Sequence, residues 1–103
     1  MTYKLIIAKA AKLDLTDISA YITRELHALQ AALDLLDELE RQMSLLKEMP
    51  KKFALVPDER LALCGIRKVS VKNYIVFYTV DDQAKTVNVV RILYGRRDWA
   101  HLL

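Results

Sequence analysis

Arginine offers the most chemistry in this sequence. Arg67 and Arg91 each stand in a run of residues that alternates with apolar side chains. A guanidinium keeps its charge in any protein environment, and its planar fork binds phosphate through two hydrogen bonds. Two such groups on neighbouring strands can grip one phosphodiester. If that phosphodiester is RNA, the ribose 2′-hydroxyl can attack its own phosphate. The arginines would stabilise the charge that develops, and a phenol or imidazole would move protons. Tyr94 is the nearest candidate proton donor and His101 the second. A free tyrosine titrates at about 10, so Tyr94 suits an acid better than a base. The plainer alternative pairs Arg67 with an acidic residue, and Arg91 with Asp98 or Glu59.

Other chemistries lack their parts. His27, His101 and the single cysteine, Cys64, are too few and too scattered for a zinc site. The only glycines are Gly65 and Gly95, so no glycine-rich phosphate loop exists. Ser19, Ser44 and Ser70 lack any nucleophile context. No metal and no cofactor is expected.

The elements must position these arginines. Residues 86–103 begin as a hydrophobic run that reads as a buried strand, interrupted by Arg91 and stopped at Gly95. Arg96, Arg97, Asp98 and the only tryptophan, Trp99, follow. A strand that fixes one arginine and hands over to a basic tail can hold a polyanion. The charge distribution agrees: residues 1–48 carry six basic and eight acidic side chains, residues 49–103 ten and five. A basic second half fits an anionic partner such as nucleic acid or an acidic peptide. A solvated basic surface would look the same.

With 103 residues, the chain is expected to form one domain over residues 1–103 around a single core. Two glycines and two prolines imply short connections between helices and strands. No apolar run is long enough to span a membrane, and the first residues lack the pattern of a secretory signal. A single cysteine suits a reducing cytoplasm.

Residues 2–8 read as a strand. Over 9–26 the apolar period changes: Ala11, Leu15, Ile18 and Ile22 make one helical stripe, with Asp14 and Asp17 towards its start, where the helix dipole favours negative charge. Over 28–48, Leu29, Ala32, Leu33, Leu36, Leu39, Met43 and Leu46 mark a second, longer helix. The two should form a hairpin resting on a sheet. Pro50 and Pro57 bracket the connection that carries Lys51 and Lys52. Residues 65–71, 74–80 and 86–94 read as three strands of an antiparallel meander. Lys72 and Asn73 form the first turn, with asparagine in the left-handed conformation, and 81–85 the second. The last two strands are apolar on both faces, and the hairpin can cover only one. The other face meets either a partner chain or the C-terminal tail, with Trp99, Leu102 and Leu103 folded back.

The order strand, helical hairpin, meander and basic tail resembles the RelE/ParE superfamily of bacterial toxins. So do Gly65-Ile66-Arg67-Lys68-Val69, Asn73-Tyr74-Ile75-Val76-Phe77-Tyr78 and Arg91-Ile92-Leu93-Tyr94-Gly95-Arg96-Arg97-Asp98. The resemblance spans nearly the whole chain. It implies an α+β fold of RelE type (β-α-α-β-β-β) and a cytoplasmic toxin from a two-gene type II toxin–antitoxin module. The cognate antitoxin would hold it inactive in a hetero-oligomer, wrapping the sheet and hairpin with a helix and an extended tail. RelE-like members cut mRNA in the ribosomal A site without a metal. ParE-like members poison DNA gyrase and lack that catalytic set. On the nuclease reading Arg67 matches the second-strand arginine and Arg91 the arginine of the last strand, while Tyr94 lies where many relatives carry histidine. These three form the candidate catalytic set. Lys51, Lys52, Lys68, Arg96 and Arg97 form the candidate RNA-binding set. The expected activity is ribosome-dependent mRNA cleavage. The alternatives are a gyrase inhibitor without catalysis, and an inactive toxin that only binds its antitoxin and shares in repressing their operon.

Overall fold

The computed structural model describes residues 2–103. Strand β1 (Lys4–Ile7) leads into α1 (Lys9–Ala20), which continues as a turn of π-helix (Tyr21–Glu25) and returns through α2 (Leu29–Glu48). A short helix, α3 (Glu59–Leu63), precedes β2 (Arg67–Val71), β3 (Tyr74–Asp81) and β4 (Thr86–Tyr94), and the chain ends in a 3₁₀ turn (Trp99–His101). The sheet runs β1-β4-β3-β2; β1 is parallel to β4, and the other pairs are antiparallel. This is the expected α+β arrangement. No helix among the described residues is long and apolar enough to cross a membrane.

The hairpin packs on one face of the sheet. Ala11, Leu35, Leu39, Leu46, Val76, Tyr78, Val89 and Ile92 meet there in the main core. On α2 the buried stripe is Ala32, Leu35, Leu39, Met43 and Leu46, so the expected stripe is corrected. Leu35 turns inward, while Leu29 and Leu33 are 61% and 46% exposed. A helix between a sheet and a second helix buries only a limited arc, and two interleaved leucine rows compete for it. The losing row lies on the outer flank. Elsewhere on the exposed side of α2, Arg41 beside Glu38 holds the Glu38 carboxyl down at about 2. Asp14 is also corrected. It sits in the second turn of α1, pointing into the molecule, and the first turn holds no acidic residue.

The opposite sheet face is closed from within the chain. Val56, Leu61, Ile66, Ile75, Phe77 and Leu93 form a second cluster, against which Trp99, Ala100, Leu102 and Leu103 pack. Trp99 lies 5.1 Å from Phe77, ring to ring. Of the two expected covers, the folded-back tail is the one present, helped by α3. The sequence reading missed α3, although Asp58 is an N-cap whose carboxylate accepts the Leu61 N–H at 3.1 Å.

In the β2–β3 turn the left-handed residue is Lys72, at φ 54°, and not Asn73. A side chain in that conformation costs about 1–2 kcal/mol, and glycine returns part of the gain as unfolded-chain entropy. Lys72→Gly is therefore expected to stabilise the fold by about 0.5–1 kcal/mol, read as a rise in the urea midpoint at constant m-value.

Candidate functional site

The strand register decides where the candidate catalytic residues go. Arg67 lies opposite Tyr78, a residue of the main core. Arg91 lies opposite Phe77, in the second cluster. Phe77 and Tyr78 are neighbours on one strand and project to opposite faces. The two arginines therefore leave the sheet on opposite sides. Tyr94 shares the hairpin face with Arg67 but is opposite Tyr74. Tyr74 and Tyr78 are four residues apart on β3, which separates Tyr94 from Arg67 by roughly 13 Å along the strand. Arg67, Arg91 and Tyr94 occupy three separate places.

Each arginine also has a partner within the chain. Arg67 donates from Nη1 to the Phe53 carbonyl at 2.7 Å. Next to it the Tyr78 hydroxyl donates to the Pro50 carbonyl at 2.9 Å. Together they staple the 50–56 loop to the end of the sheet, and burial pushes the Tyr78 phenol upward.

Arg91 is held more firmly. Its Nε and Nη2 donate to the two carboxylate oxygens of Asp14, at 2.7 and 2.9 Å, and Nη1 donates to the Leu102 carbonyl at 3.2 Å. The same carboxylate accepts the Ile92 backbone N–H at 2.9 Å. The reason lies in strand length. β1 pairs with β4 only as far as Ile7 opposite Val89. Beyond that point the β4 edge has no strand beside it, and α1 takes that place. An aspartate facing inward then satisfies both the orphaned N–H and the guanidinium. Asp14 is only 9% exposed, and its carboxylate raises the Arg91 pKa further. The sequence reading gave Arg91 other internal partners and missed Asp14. A signal existed: Ala11, Asp14, Ile18 and Ile22 share one helical face, so a lone carboxylate sits in an apolar stripe.

The candidate RNA-binding residues are spread as widely. Lys51 pairs with Asp82, which also accepts from the Tyr3 hydroxyl at 2.8 Å. Lys52 lies over the Phe53 ring at 5.4 Å. Lys68, opposite Phe77 on the tail face, lies 5.7 Å over the Trp99 ring. Arg96 and Arg97 are exposed at the other end of the sheet, past Tyr94.

A separate opening lies elsewhere. A cleft of about 860 Å³ separates the sheet end from the bend of the hairpin. Tyr74, Tyr94 and Ile92 line the sheet side, and Ile18, Tyr21 and Ala31 the helical side. Tyr74 and Tyr94 meet edge to face at 5.6 Å. Burial, with Tyr94 and Tyr21 as neighbours, pushes the Tyr74 phenol upward. Lys72 and Arg97 lie at its rim. Neither Arg67 nor Arg91 lines it.

Comparison with known proteins places this geometry in context. The family model described as the ParE toxin of type II toxin–antitoxin system, parDE, matches residues 5–99. Among solved structures, the chain is similar to one from the chromosomal ParDE toxin–antitoxin system of P. aeruginosa. The TM-score is 0.72 at 20% identity, over 90% of this chain and 96% of that one. It is also similar to a chain of the RelBE2 toxin–antitoxin complex of Mycobacterium tuberculosis, with a TM-score of 0.63 at 20% identity over 91% and 99%. A free E. coli toxin RelE, with two arginines replaced by alanine, gives 0.68 at 14% identity over 99% and 93%. No curated protein matches the sequence. At these identities the structural likeness carries the fold alone.

Proposed function

The chain belongs to the ParE toxin family of type II toxin–antitoxin systems, and from that premise we propose that it arrests growth by binding DNA gyrase, without cutting RNA. One observation carries this reading: the Arg91 guanidinium is committed to Asp14, on the face of the sheet opposite Arg67. Metal-free RNA cleavage needs cations and a proton donor gathered around one phosphate. Here α1 and the tail hold Arg91, and Tyr94 lies on the other face and well along the strand from Arg67, so Arg67, Arg91 and Tyr94 surround no single phosphate. Binding of a protein target makes no such demand. It needs exposed apolar anchors, and Leu13, Tyr21, Leu26, Leu29 and Leu33 supply them on the helical half. In the same reading a cognate antitoxin covers part of this surface, and the free toxin is less soluble than the complex.

The test runs both activities on one preparation. Purified chain added to relaxed plasmid, gyrase and ATP is expected to block supercoiling. Added to translating ribosomes, it is expected to create no new mRNA ends. New ends together with normal supercoiling would overturn the proposal.

A further inference from the structure

The cleft beside the hairpin bend has the make-up of a small-molecule site. Its walls are mainly apolar and aromatic, with a few charged groups at the rim, the usual pattern of ligand pockets. Two features of the chain hold it open. Ala28 and Ala31 line it from the helical side, where larger side chains would fill the space. The hairpin also bends through a π-helical turn that sets Tyr21 and Ile22 on the wall. Such turns are irregular, costly, and concentrated at functional positions.

The chemistry of the lining narrows the ligand. Tyr21, Tyr74 and Tyr94 offer three aromatic surfaces in one cleft, and aromatic rings bind flat heteroaromatic rings by stacking. Lys72 and Arg97 form a cationic rim beside them, suited to phosphate oxygens. Asp17 and Asp34 lie in the same lining, where a carboxylate can accept from a sugar hydroxyl or an exocyclic amine.

We infer that this cleft binds a nucleoside phosphate, with the base against the tyrosines and the phosphate at Lys72 and Arg97. The inference does not depend on the gyrase reading. An aromatic ring and an anion at fixed separation satisfy both halves of the cleft, whereas an acidic peptide satisfies only the rim. The ligand is either a free nucleotide or a nucleotide within an RNA strand, and the chemistry is the same for both.

Titration calorimetry of the full chain with GMP and AMP tests this. Saturable binding is expected, with guanosine alone and inorganic phosphate alone each weaker by at least about tenfold. Lys72→Gly removes the ammonium while easing the backbone, so lost affinity cannot come from misfolding; a loss of about tenfold is expected. Ala31→Phe, at an exposed position on the cleft wall, is expected to abolish binding by filling it. A short single-stranded RNA that binds more tightly than GMP, and is weakened equally by Lys72→Gly, would keep the site and make RNA its source. No saturable binding of either nucleotide, or binding that both variants leave unchanged, would overturn the inference.

Discussion

Asp14→Ala is expected to cost about 2–4 kcal/mol of folding stability, seen as a large drop in the urea midpoint. The substitution leaves Arg91 without its carboxylate and Ile92 with an unpaired N–H at a buried strand edge. Breaking a buried pair from one side typically costs about 3–5 kcal/mol, because a charge remains in the interior with nothing to balance it. The Arg91 side chain retains 25% exposure, so water recovers part of that, and the lower range applies. The same reasoning separates this loss from a cavity effect. Replacing both partners by leucine removes the stranded charge but leaves the Ile92 N–H unpaired, so the part of the loss due to the charge should return. If Asp14→Ala unfolds like the parent chain, the junction of α1, β4 and the tail does not rest on this pair.

Ending the chain after Asp98 is expected to cost a comparable amount, about 3–5 kcal/mol, and to make the protein bind hydrophobic dyes. The deletion removes Trp99, Ala100, Leu102 and Leu103, which pack over Ile75, Phe77 and Leu93. It also removes the Leu102 carbonyl that accepts from Arg91. Each half-buried large apolar side chain contributes about 1 kcal/mol through the area it removes from water. Phe77 then loses its ring neighbour and faces solvent. Urea unfolding with dye fluorescence on the same sample reads both effects. A truncated chain that keeps its midpoint and binds no dye would show that the tail is not the cover of this face.

Much of this architecture was legible in the residues. The change from period two to helical period at Lys9, and the apolar runs of β3 and β4, come directly from side-chain geometry. The apolar second face of those strands announced a cover, and Trp99, Leu102 and Leu103 were a candidate within the chain, while the share taken by Val56 and Leu61 went unseen. Less was legible where two solutions share one local pattern. Leu33 and Leu35 both lie in leucine-rich rows of α2, and only the three-dimensional arc of contact decides which is buried. Lys72 and Asn73 both sit in a two-residue turn, where asparagine has the better intrinsic tolerance of a left-handed backbone, yet lysine takes it.

The site was the least legible part. Alternation along β2 and β4 marks Arg67 and Arg91 as unusual, but the face each takes depends on strand register. That register includes an irregularity at Phe77 and Tyr78, and a single-residue slip moves a side chain to the other face. The Asp14–Arg91 pair joins residues 77 positions apart, a separation over which local periodicity is silent. The cleft depends on what is missing, the side-chain volume absent at Ala28 and Ala31, and such an absence becomes visible only once the walls are in place.

The account rests on the Arg91 guanidinium being a structural clasp. The most direct measurement is growth arrest, with gyrase supercoiling beside it, for the double variant Asp14→Leu/Arg91→Leu. The account predicts a folded protein that arrests growth and inhibits gyrase to within about threefold of the parent, since the pair is replaced by apolar packing of similar volume. A double variant that folds as stably as the parent but has lost growth arrest would contradict it, because the guanidinium would then be acting on the target.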